Sequence, residues 1–213
     1  MLNNSYSLNL LIQRNQEFKE RFHCNSLFTL MRSGVFQSKQ TRDKFLRHFQ
    51  VWSEYFQKAM LLKTALCDDA AFKPVFRQHL AEEFGHDQLL THDHHGESCR
   101  KDALLEAICC WFPYKMLTLT RHEQIVAMNL CVEAAAAIFY EYANPVINPG
   151  SQCSHFNSHG EIDHLHENLG LSLLEHLTQD HYKRLIEVQE ESWEMCEALM
   201  HRLGELVHNP QVA

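Results

Sequence analysis

Helix breakers are scarce in this chain. Seven glycines and five prolines punctuate 213 residues, and no window between them shows sustained alternation of apolar and polar side chains. A half-buried strand requires that alternation, so the class is all-α. Helices are expected at about 8–31, 42–66, 71–92, 101–111, 121–142, 159–176 and 179–207, a bundle of about seven. Asp69, Thr120 and Thr178 stand where N-caps belong. Asn144-Pro145 and Asn148-Pro149-Gly150 should end the fifth helix and open an internal loop over 144–158. The length and the 45% hydrophobic content suit one domain spanning 1–213 with a full core.

The formal net charge of −8, with Lys and Arg unclustered, argues against a nucleic-acid partner. No apolar run approaches the ~20 residues of a membrane span, and residues 1–14 lack a secretory pattern, so the expectation is a cytoplasmic protein. The eight cysteines are scattered without a CxxC pair, which fits reduced thiols in a reducing compartment. Sixteen histidines are the unusual count. The tract Thr91-His92-Asp93-His94-His95 reads as a solvated helix end.

Other histidines fall into patterns with carboxylates. Glu83-Phe-Gly-His86, within the helix expected over 71–92, places an acid and an imidazole three apart on one helix face. Glu20 and His23 share that spacing and read as surface chemistry. His159, Asp163 and His166 stand at i, i+4 and i+7, within an arc of about 60° and a rise of roughly 10 Å, which suits two metals with a carboxylate between them. Glu54 interrupts an aromatic run from Phe49 to Phe56, and Glu133 lies between Val132 and four alanines. An unpaired buried carboxylate costs several kcal/mol, so such residues are exposed, paired or bound to metal. Glu54, Glu83, His86, Glu133, His159, Asp163 and His166 together offer four carboxylates and three imidazoles, enough negative charge for two divalent ions. Oxygen and nitrogen ligation without cysteine suits iron or manganese better than a structural zinc site, and iron is favoured for oxygen chemistry.

A second series competes with this one. Glu161-Ile-Asp-His164 also reads ExxH, and with Glu54, Glu83-x-x-His86 and Glu133 it gives a ferritin-like di-iron pattern. The two readings use opposite helix faces. The apolar stripe of Ile162, Leu165, Leu169 and Leu173 lies nearest His159 and His166, which favours the HxxxDxxH face.

The ordered set Trp-Ser-Glu54-Tyr-Phe, Glu83-x-x-His86, Glu133 after Asn129-Leu-Cys-Val, and His159-x3-Asp163-x2-His166 resembles the haem-oxygenase-like di-iron oxidases. The resemblance spans 42–176 and implies the fold of the TenA/THI-4/PqqC superfamily. It implies that Glu83, His86, Glu133, His159, Asp163 and His166 bind two irons, with Glu54 as an additional ligand. It also implies dioxygen as co-substrate, a small organic substrate of fatty-acid, amino-acid or amine type, a separate electron donor and, by analogy, a homodimer. Trp52, Tyr55, Phe84, Phe139 and Tyr140 are candidate pocket walls, although aromatic residues at helical spacing are ordinarily core. Three alternatives stay open: a metal-free TenA-like hydrolase or PqqC-like oxidase, the ferritin-like protein, and a non-enzymatic interaction protein. An ordinary haem oxygenase, with its single proximal histidine, would leave the carboxylates unexplained.

Overall fold

The computed structural model describes residues 6–94, 101–150, 153–159 and 166–208, all of them helix, turn or coil. The described helices are α1 (Leu8–Phe22), α2 (Ser26–Arg32), α3 (Lys39–Ala65), α4 (Lys73–Glu83), α5 (His86–Asp93), α6 (Ala103–Thr118), α7 (Arg121–Ile147), α8 (Ser154–His159) and α9 (Gln179–His208). Short 3₁₀ turns lie at Val35–Gln37 and Leu171–Leu174.

Local sequence explains where these helices start and stop. Ser7 accepts from Leu10 N, and Asn25 accepts from Leu27 N to begin α2, splitting the single helix expected over 8–31. Thr120 and Glu123 form a reciprocal capping box at the start of α7. Thr178 caps α9 by accepting from His181 N. Asp69 instead shapes the turn before α4, accepting from Ala71 N. The helix expected over 71–92 breaks at Phe84-Gly85: Phe84 is extended and Gly85 adopts φ +91°, a conformation glycine takes without cost.

Two helices run past their expected ends, at Trp111 and at Asn144-Pro145. Pro113 lies inside α6, and Pro145 lies inside α7, which runs on to Ile147. Beyond His166 the expected sixth helix does not continue, because His166–Gly170 turns into the 3₁₀ segment. Gly170 has φ +88°, and a Cβ there would come within 2.5 Å of Ile125 Cδ1.

The centre of the bundle is α7. Every residue from Gln124 to Ala135 is buried, with α1, α2, α8 and α9 packed against the helix and α3 meeting it through Phe49 and Phe139. By length and composition α7 could cross a membrane, but 78% of its most apolar stretch is buried inside the protein, as a bundle's central helix must be. Its Ile125–Glu133 stretch is π-helical, a distortion that recurs at functional sites. Asn15 ties three elements together: it donates to the Leu130 carbonyl at 3.0 Å and accepts from Trp193 Nε1 at 2.9 Å and Gln189 Nε2 at 3.2 Å. Each large apolar side chain buried in this core contributes roughly 1.5–3 kcal/mol. Among the described residues the cysteines are free.

Candidate metal centre

The end of α4, the start of α5, the π-helical end of α7 and His166 meet inside the bundle. His79, Glu83, Glu133 and His166 are each no more than 2% exposed. One ligand atom from each of the four lies within 4.8 Å of the others, so the cluster could hold a metal ion. The two oxygens and two nitrogens suit iron, manganese or zinc.

Electrostatics within the cluster are those of paired buried charges. Burial works to lower the pKa of His166, but the Glu133 and Glu83 carboxylates beside its ring outweigh that and push it up to about 10, which keeps the ring an imidazolium. His166 Nδ1 lies 3.2 Å from Glu83 Oε1 and 3.6 Å from Glu133 Oε2, while Nε2 lies 2.8 Å from Glu82 Oε2. Burial works to raise the pKa of Glu133, yet the His79 and His166 rings beside its oxygens hold it below the usual carboxylate value. Burial, then the neighbouring Lys63 charge, push His79 below the ordinary imidazole value. Lys63 has no exposed surface, and burial brings its pKa down to about 7 against the pull of Glu133 and Glu83. A divalent cation at this point would replace the imidazolium proton as the counter-charge of the two carboxylates.

The expected site residues divide as follows. Glu83, Glu133 and His166 converge, and His86 Nδ1 lies 2.9 Å from Glu83 Oε2 although the two residues sit on different helices. Glu54 lies elsewhere: it is on the exposed face of α3, accepting from Gln50 Nε2 at 3.2 Å. Its neighbours in sequence are aromatic, but the helical face it shares with Lys58 and Leu61 looks outward. The His159 side chain, Asp163, and the rival pair Glu161 and His164 fall outside the described residues. His79 and Lys63 were not anticipated. His79, Glu83 and His86 carry the same i, i+4, i+7 spacing that singled out His159, Asp163 and His166, so the signal was available.

Glu83, His86 and Glu133 open onto a mainly apolar cavity of about 640 Å³, measured out to its open mouth. Phe49, Trp52, Phe56, Phe139, Leu199 and Met200 supply its apolar walls, with Tyr140 beside them. Of the expected wall residues, Tyr55 is not in the lining and Phe84 is 64% exposed. His155 Nδ1 donates to the His86 carbonyl at 2.9 Å, which leaves Nε2 to accept from Tyr140 Oη at 2.9 Å. Within the tract that reads as a solvated helix end, the described residues do more: Asp93 accepts from Ser154 N and His155 N at the start of α8, and His94 is buried against Gln50, while His95 lies outside the described residues.

Fold and site together define an all-α, haem-oxygenase-like protein with a buried His/Glu cluster beside an apolar cavity. A solved domain of unknown function with a heme oxygenase-like fold from Shewanella denitrificans OS217 matches with a TM-score of 0.67 over 93% of this chain and 92% of that one; at 15% identity the likeness is one of fold. No protein-family model matches the chain. The uncharacterized protein RP592 of Rickettsia prowazekii (strain Madrid E) is 34% identical over 203 residues, covering 95% of this chain and 97% of that protein. The chain belongs to the same family as RP592.

Proposed function

We propose that this protein is an iron-dependent oxidase or oxygenase that acts on a small, largely apolar organic molecule, using dioxygen as co-substrate. The observation that carries the reading is the opening of two buried carboxylate side chains, Glu83 and Glu133, onto an apolar cavity. A structural metal site would be closed; an accessible face beside a ligand-sized cavity is the arrangement of a reactive one. Glu83, Glu133 and His166 would hold one ion. His86, with His159 and Asp163, would complete a dinuclear centre, and Glu54 stands outside it. Iron in such a centre supplies dioxygen activation and the exchange of electrons with the substrate.

The chain's own residues do the rest. Phe49, Trp52, Phe139 and Leu199 exclude water and orient the apolar part of the substrate toward the carboxylates. The His155–Tyr140 pair fixes the first turn of α5, and so His86, against α7 and α8. Glu82 accepts from His166 Nε2, which leaves Nδ1 directed at Glu83 and Glu133.

The test is dioxygen uptake after anaerobic loading with Fe(II), in the wild type, Glu133→Ala and Asp163→Ala. Uptake by the wild type that both substitutions abolish supports the reading. Full uptake by Glu133→Ala, or none by an iron-loaded wild type, sinks it.

A further inference from the structure

The chemistry around His79 separates it from the other three members of the cluster. Its Nδ1 lies 3.0 Å from Lys63 Nζ and 3.0 Å from Asn129 Nδ2. The orientation of the Asn129 amide is fixed independently. Its nitrogen faces the His166 carbonyl at 3.3 Å, a group that can only accept, and its oxygen faces Lys63 Nζ at 3.3 Å. Turning the amide over would set oxygen against oxygen at His166 and nitrogen against the lysine. Two donors therefore point at Nδ1, which must carry the ring's lone pair. The ring proton then sits on Nε2, where it is donated to Glu133 Oε1 at 2.7 Å. A protonated ring nitrogen has no in-plane lone pair to offer a cation.

We infer that His79 is not a ligand but the positioning residue that holds Glu133 in place for the metal, locked in its Nε2–H tautomer by Lys63 and Asn129. The inference rests on the metal-binding reading above and sharpens it: within the cluster the ligands are Glu83, Glu133 and Nδ1 of His166. For His79 to bind through Nε2, its proton would have to move to Nδ1, directly against the Asn129 amide donor. It would also give up a buried hydrogen bond to a carboxylate, among the stronger kinds.

Zinc serves as a diamagnetic probe, titrated into metal-free wild type, His79→Gln, His79→Ala and His166→Ala, with nitrogen NMR of the histidine rings in the wild type. Gln presents an oxygen toward Lys63 and an N–H toward Glu133, replacing the donor without an imidazole. The expected result is unchanged zinc stoichiometry in both His79 variants. Affinity should stay within about threefold of wild type for His79→Gln and fall about 10–100-fold for His79→Ala. The His79 Nε2–H signal persists when zinc saturates the wild type, a readout that does not depend on any variant folding. Loss of an ion from His79→Gln, or disappearance of the Nε2–H signal on zinc binding, overturns the inference while leaving the metal site intact. Failure of the wild type to bind zinc, making it indistinguishable from His166→Ala, overturns the metal-binding reading and the inference with it.

Discussion

Replacing Lys63 with Met tests the electrostatics beneath the cluster. Lys63 is fully buried, and its pKa falls from 10.5 to about 7. The unfolded chain holds this proton more tightly than the folded one, so stability rises with pH across the window from about 7 to 10.5 and the full cost is felt below about 7. A shift of that size, at 1.36 kcal/mol per pH unit, corresponds to about 5 kcal/mol. Met fills a similar volume without charge, but it takes one donor from Asn129 Oδ1, which costs about 1–3 kcal/mol. His79 Nδ1 keeps its Asn129 donor. The metal-free Lys63→Met variant should therefore be more stable than wild type by about 2–4 kcal/mol at about pH 6, an advantage that shrinks by about 3 kcal/mol at about pH 9. Urea unfolding at the two pH values measures this directly. A stability difference that stays constant between them would refute the reasoning, because the titration of a buried lysine would then not be what separates the two proteins.

Other consequences are independent of Lys63. His166 is held as an imidazolium up to about pH 10 and must release a proton to ligate, so metal affinity should rise about tenfold per pH unit below that point; Mn(II) titrations at about pH 6 and about pH 8 would show it, and a flat response contradicts it. Glu82→Ala removes the acceptor that orients His166, and metal binding should weaken about 10–100-fold at unchanged stoichiometry, measured against a competing chelator. Gly170→Ala forces a side chain into positive φ and against Ile125, and should cost about 1–3 kcal/mol in urea unfolding. Glu54→Ala should leave metal content unchanged and stability within about 0.5 kcal/mol, as expected of an exposed position.

What the sequence revealed follows a physical line. Glu133 was legible because a carboxylate in the middle of an apolar run has few ways to exist. Glu54 was misread by the same argument, since its aromatic neighbours along the chain occupy other faces of α3 and the run says nothing about angle. Glu83 and His86 were paired for a reason that fails: the helix breaks at Gly85, and they meet across the break. His79 sits in the polar-looking stretch Arg77-Gln78-His79, and Lys63 closes the run Met60-Leu61-Leu62; nothing local marks either as buried, because their burial depends on the packing of α3, α4 and α7. The all-α class was secure, while the fate of Pro113 and Pro145 depended on tertiary packing, which overrides a local helix stop.

The most direct test of the central claim is anomalous diffraction at the iron edge from crystals of the iron-loaded protein. The account predicts an anomalous peak within bonding distance of Glu83, Glu133 and His166, facing the apolar cavity, with His79 still donating to Glu133. Iron found instead among His92, Asp93 and His94, or no iron in the cluster at full loading, would contradict it.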